Sequence, residues 1–347
     1  MPTWKQILAR SITTPAQLAA HFPIEHHGMS AVAAQYPMRI NPYYLGLIER
    51  VGDPIWRQAV PDPMELADHT CMEDPLDEEN RSPVPNLVHK YPDRALLLVT
   101  SQCAMYCRFC TRKRKVGTAR MEITPATIRA GIEYLRRTPQ IRDVLVSGGD
   151  PLLLPDDTLD WLLTALRAIP TLETIRIGTR APCTLPMRVT TRLARMLGRH
   201  HPLFINTHFN HPRELTSQAA LACSRLAAAG IPLGNQTVLL RGVNDNAITM
   251  TALLRGLLKM RVKPYYLFQA DMTRGTNHFR TRVETGLDLM RSLIGHVSGM
   301  AVPTFAVDAP GGGGKIPLTP DYITAMGDTI EFANYIGTPY SYDNNLI

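Results

Sequence analysis

The apolar positions of this chain change rhythm near residue 94. Upstream they are scattered among Pro, His and acidic residues, and only 14–21 and 42–51 read as helical. Downstream, short apolar runs alternate with longer stretches whose apolar residues recur at helical spacing. The runs at 95–100, 143–147, 174–178, 203–207, 233–239 and 263–268 predict strands. The stretches at 125–137, 157–168, 190–197, 213–229, 247–260 and 284–293 predict helices, the first with Thr124 as cap ahead of Pro125. Such alternation predicts a parallel sheet with crossover helices, so the fold class is α/β, a partial (β/α)6 barrel. A last run, 301–307, leads into Asp308, Ala309, Pro310, four glycines and Lys315, and a short tail follows. The chain thus divides into a mostly helical extension over 1–85, the barrel over 86–300 and a C-terminal segment over 301–347.

Composition narrows this picture modestly. With 45% hydrophobic and 19% charged residues, the 347-residue chain has ample apolar surface for a packed interior. No apolar stretch approaches the length of a bilayer span, and the opening MPTWKQILAR lacks the hydrophobic region of a secretory signal, so a cytoplasmic protein without a membrane partner is expected. The net charge of +7 suits anionic ligands but does not call for nucleic acid.

Cysteine placement changes the picture more. Of six cysteines, Cys103, Cys107 and Cys110 crowd into one stretch directly after the first barrel strand. Three converging thiolates hold iron and sulfide well, whereas structural zinc is four-coordinate and no fourth Cys or His stands at finger spacing. A three-thiolate cluster leaves one iron open, where a substrate or cosubstrate can chelate. After the second strand, Ser147-Gly148-Gly149-Asp150 places two glycines where backbone could approach a ligand closely, although a lone glycine pair is also an ordinary turn. His208 and His211, without a third ligand, read as ordinary polar contacts.

The glycine run before Lys315 has three readings: a linker, a phosphate-binding loop or a hinge carrying a cofactor lysine. The phosphate loop fails, because Ala309 and Ile316 stand where it needs Gly and Ser or Thr. A linker sits poorly between an apolar strand and a Pro-rich segment. A lysine on flexible backbone suits reversible Schiff-base chemistry, which makes Lys315 the candidate cofactor lysine.

With its CxxxCxxC spacing and its SGGD turn, the chain resembles the radical S-adenosylmethionine (SAM) superfamily. Through SPVPNLVHKYPDRALLLVTSQCAMYCRFCTRKR, LVSGGDPLL, NTHFNHP, NQTVLLRGVNDN and DAPGGGGK it resembles, from about residue 70 to about 325, the lysine 2,3-aminomutase family. That resemblance implies a radical SAM barrel with a C-terminal segment carrying a pyridoxal 5′-phosphate (PLP) lysine. It implies a 4Fe-4S cluster on Cys103, Cys107 and Cys110, and SAM at the open iron near Ser147, Gly148, Gly149, Asp150, His208 and Gln236. Lys315 is similar to the lysine bonded to PLP, Tyr91 to the tyrosine beside its ring and Arg94 to an arginine at its phosphate. Lys90 stands where the family usually has a second arginine, keeping the charge but losing the bidentate fork. Arg112 is similar to the arginine that grips the substrate carboxylate, and Asp271 and Asp308 to the pair that binds the lysine ε-ammonium. The implied activity is that of an isomerase moving the α-amino group of free lysine to the β-carbon, served by a one-electron donor such as flavodoxin or ferredoxin, in a homo-oligomer.

Three alternatives stay open on the sequence. The first is a β-lysine-forming enzyme serving elongation factor P, and the second a non-catalytic iron–sulfur protein. The third is a nucleic-acid patch at Arg112, Lys113, Arg114 and Lys115, against the expectation of no nucleic-acid partner. Long family members end in a cysteine-rich zinc region, and no cysteine follows Cys223 here, so the resemblance does not say how subunits would pair.

Overall fold

The structure, a computed structural model, describes residues 3–25 and 27–345. Nine strands form one sheet in chain order: β1 (Leu87–Tyr91), β2 (Arg94–Leu98), β3 (Asp143–Ser147), β4 (Thr174–Gly178), β5 (Leu203–Thr207), β6 (Leu233–Leu239), β7 (Lys263–Gln269), β8 (Thr304–Ala309) and β9 (Gly314–Pro317). Strands β2 to β8 are parallel, while β1 and β9 pair antiparallel at the two edges. The edges nevertheless meet: the backbone N–H of Lys315 on β9 donates to the Tyr91 hydroxyl on β1 at 3.0 Å. The sheet is therefore a barrel left short of closure, with side chains of β1 reaching across the gap to the β8–β9 hairpin.

The helices cover one face of this sheet for reasons visible in their sequences. Helix Pro125–Arg137 starts with Thr124 accepting from the Thr127 N–H, carries Pro in its first turn and buries Ile128, Gly131, Ile132 and Leu135, a stripe at helical spacing. Its buried isoleucines and Leu135 share one core with Val144 and Val146 of β3 and Ile175 and Ile177 of β4. The alternate positions Leu145 and Ser147 of β3 and Gln236 and Val238 of β6 are only half-buried, because they point to the opposite, concave face. The predicted helix over 213–229 is shorter. A single turn, Pro212–Glu214, precedes helix Ser217–Ala228, because the Glu214 carboxylate is drawn inward to Tyr44 and Arg180.

The extension contributes short helices, among them Trp4–Ala9, Pro15–Ala19, His27–Gln35 and Pro54–Ala59. The stretch predicted as helix over 42–51 keeps its helix only at Pro42–Leu45, and turns follow. Beyond β9 the expected short tail is instead a separate antiparallel sheet, β10 (Ile323–Ala325), β11 (Thr329–Ala333) and β12 (Pro339–Asp343). Among the described residues no helix is long and apolar enough to cross a membrane.

Candidate functional site

The C-terminal ends of the parallel strands point to one side, which is where α/β barrels place their chemistry. The cysteine loop follows β2 and is fastened from both sides. Outward, it is held by the extension: Tyr106 N–H donates to Arg39 O at 3.1 Å and Arg108 N–H to Gln58 O at 2.9 Å. Buried Glu65 receives Arg108 at 2.6 Å and Lys113 at 2.7 Å. Inward, the SGGD turn packs on the loop backbone, with Gly149 N–H 2.5 Å from Thr100 O and Asp150 N–H 2.7 Å from Gln102 O. A Cβ on Gly148 would overlap the Thr100 carbonyl oxygen and one on Gly149 the Gln102 carbonyl oxygen, and Gly148 has φ +127°. The close approach these glycines allow is thus to the protein's own cysteine loop. Asp150 is buried, and its carboxylate caps Leu152 and accepts from Thr179 Oγ1 at 2.6 Å and Arg180 N–H at 2.8 Å.

The three thiols lie near one another. Burial raises the Cys103 thiol well above its ordinary range, with Asp150, Cys110 and Cys107 adding to it, and burial followed by Cys107 pushes Cys110 up to about 11. Burial thus holds Cys103 and Cys110 against ionising unless a cation lies beside them, and thiolates are the donor set that iron–sulfur clusters take. Among the described residues no three His, Cys, Asp or Glu side chains close on a single metal ion. Cys107 Sγ also receives Arg180 Nη1 at 2.9 Å, and that buried guanidinium is held by Gln58 at 2.6 Å and Glu214 at 2.7 Å. His208 lies half-buried against Phe109 and bonded to Asn210; desolvation, then the Arg180 charge, lowers it to about 3, so it is neutral. Gln236 lies half-buried on the concave side of β6.

At the same strand ends, the glycine run forms the turn of the β8–β9 hairpin and the start of β9, with Gly311, Gly312 and Gly314 at φ +69°, +79° and +95°. The register makes Asp308 and Lys315 cross-strand partners, so their side chains share one face, and Lys315 Nζ sits 3.0 Å from Asp308 Oδ2. Lys90 Nζ approaches the other Asp308 oxygen at 3.7 Å. The Arg94 guanidinium lies over the Tyr91 ring, 4.0 Å from its centroid, and Lys315 Nζ lies 5.2 Å from the centroid of Phe268. Asp271, after β7, belongs to the same group: burial, then the Asp308 charge, raises its carboxyl to about 7, against the pull of Lys315 and Lys90.

Arg112 joins the two halves. Its guanidinium takes both oxygens of Glu78, at 2.8 Å and 2.5 Å, and the Glu78 charge in turn reaches Asp271. The basic run is neutralised throughout: Lys113 on Glu65, Arg114 on Asp74 at 3.0 Å, and Lys115 on Glu79 at 2.8 Å. Sequence reasoning missed Glu78, Glu65 and Arg180. For Glu78 a signal existed, since the acids at 74, 78 and 79 mirror the bases at 112–115.

A parallel β/α sheet with a three-cysteine loop after its first parallel strand defines a radical SAM protein, and the radical SAM superfamily model matches residues 97–254. A lysine-2,3-aminomutase model matches residues 290–345. L-lysine 2,3-aminomutase of Clostridium subterminale is 46% identical over 350 aligned positions, covering 99% of this chain and 84% of that protein. The enzyme of the same name from Acetoanaerobium sticklandii is 48% identical over 347 positions, 98% of this chain and 84% of that one. Glutamate 2,3-aminomutase of Clostridioides difficile is 47% identical over 305 positions, 87% of this chain and 72% of its own length. The chain belongs to the lysine 2,3-aminomutase family, and that membership implies SAM and an iron–sulfur cluster.

Proposed function

We propose that this protein is an L-lysine 2,3-aminomutase, moving the α-amino group of free lysine to the β-carbon, with PLP held at Lys315 and a 4Fe-4S cluster on Cys103, Cys107 and Cys110. The observation that carries the reading is the meeting of one amine, Lys315, with two carboxylates, Asp308 and Asp271, on strand ends that Arg112 and Glu78 connect to the cysteine loop. When bound, the cluster with SAM supplies a carbon radical, and PLP supplies an aldehyde for the amine and a π system that spreads the unpaired electron.

The remaining work falls to the chain. Lys315 presents a primary amine beside Tyr91, and Arg94 and Lys90 bring positive charge for a phosphate. Arg112 receives the α-carboxylate, and Asp271 with Asp308 receives the ε-ammonium, so that a lysine spans the site in one orientation. Around SAM, Ser147 and the glycine backbone serve together with neutral His208 and with Gln236, since the Asp150 carboxylate is spent on Thr179, Arg180 and Leu152.

Because a relative named for glutamate is about as similar, the argument for lysine rests on the two acids. A buried ammonium is offset by two carboxylates, whereas a glutamate side chain would add a third negative charge beside them. A one-electron donor such as flavodoxin or ferredoxin, a homo-oligomeric assembly and a cytoplasmic location complete the reading. Anaerobic reconstitution with iron, sulfide, PLP, SAM and a reductant, followed by chiral analysis after incubation with lysine or glutamate, tests it. β-Lysine from lysine alone is the expected result, and β-glutamate or an unchanged amino acid would overturn the assignment. The handedness of the β-lysine also separates free-lysine metabolism from supply of elongation factor P.

A further inference from the structure

A guanidinium carries five N–H donors, enough for two carboxylates on two of its edges. Arg112 spends its Nε–Nη2 edge on Glu78, and among the described residues its side chain has no other hydrogen-bond acceptor. Parallel donors therefore remain on the Nη1–Nη2 edge. Glu78 is itself constrained: its side chain is 8% exposed, and Arg112, Arg114 and Lys115 surround it with positive charge. Its segment is also tied to the lysine hairpin, since Gly311 N–H donates to Pro75 O at 2.9 Å and Gly312 packs against Asp77. We infer that Glu78 is a positioning residue, which fixes the Arg112 guanidinium so that its Nη1–Nη2 edge meets the carboxylate of the amino-acid substrate. The inference rests on the reading of Arg112 as the carboxylate grip.

The sign of the effect distinguishes positioning from charge alone. The Glu78 charge repels an incoming carboxylate, so electrostatics by itself predicts tighter lysine binding when that charge is removed. Loss of a fixed guanidinium plane predicts the opposite. The experiment is calorimetry on the full-length, PLP-loaded protein without reductant, titrating L-lysine and 1,5-diaminopentane, which keeps the terminal ammonium and lacks the carboxylate. Glu78→Gln is expected to weaken lysine by about tenfold and to leave diaminopentane within about twofold. Glu78→Asp, which keeps the charge but withdraws the carboxylate, is expected to weaken lysine in the same direction. Far-UV circular dichroism and PLP content establish that each variant is folded, and the Asp variant carries the test if the Gln variant is not. Lysine binding that is unchanged or tighter, or equal weakening of both ligands, overturns the inference. Arg112→Gln separates the two levels. Lost lysine preference in that variant but not in the Glu78 variants sinks the positioning role alone, and preference retained in Arg112→Gln sinks the reading of Arg112 with it.

Discussion

Asp271 concentrates the electrostatics of the site in one side chain. Its folded carboxyl titrates at about 7, above the ordinary aspartate value of 3.8, because burial and the Asp308 charge oppose its ionisation. A raised carboxyl binds its proton more tightly folded than unfolded, so its contribution to stability is full below about pH 4 and is lost as pH rises through about 7. Each tenfold gain in proton affinity is worth roughly 1.4 kcal/mol, so the whole effect amounts to a few kcal/mol. Asp271→Asn should therefore flatten the decline of unfolding free energy between about pH 4 and about pH 7, as measured by urea titration at several pH values. Ligand binding has the opposite sign: an arriving ammonium favours the carboxylate, so wild-type lysine affinity should rise with pH up to about 7 and release a proton. Calorimetry in buffers of different ionisation enthalpy reads that proton directly, and none released would remove Asp271 from the ammonium site. Lys315 offers a simpler check. Lys315→Ala should abolish the Schiff-base absorbance of added PLP, and an unchanged spectrum would place the cofactor lysine elsewhere.

The cysteine loop shows how an element with no regular structure of its own is made rigid. Glu65, with a side chain 0% exposed, stands between Arg108 and Lys113, and burial lowers the Lys113 ammonium to about 8 despite that partner. Breaking a buried ion pair from one side leaves uncompensated charge and costs roughly 3–5 kcal/mol. Glu65→Leu should reduce the unfolding free energy by about that amount and reduce the iron retained after reconstitution, both measurable on the same preparation. The barrel strands were legible in the sequence because their buried positions recur every second residue within short, mostly apolar runs. Strands β10, β11 and β12 were not, since they are mostly exposed and present no such run. The glycine turn was legible as a break, but not as a hairpin: φ above zero permits several turns, and only the pairing of β9 with β8 selects one.

At the scale of the whole molecule, extension and barrel share one interior. Ile12, Leu18, Ile40, Tyr44, Ile55 and Trp56 belong to the same core as the strands and helices of the barrel. The two parts should therefore unfold together. Trp4 and Trp56 report on the extension and Trp161 on helix Asp156–Arg167, so fluorescence and far-UV circular dichroism should give coincident melting curves, whereas an earlier fluorescence transition would make the extension a separate unit. What the amino-acid order determined by itself was local: the alternation of strand and helix, the spacing of three thiols, and the lysine that ends a glycine run. Each is set by neighbours a few residues away, through backbone geometry and side-chain period. Which charges meet was decided by the tertiary structure alone. Arg112 finds Glu78 34 residues earlier, and Asp308 faces Lys315 through one hairpin register. Asp271 is raised only because the folded strands bury it beside Asp308. Such pairings depend on distance and desolvation in three dimensions, and neither quantity exists until the sheet has curled and brought its strand ends together.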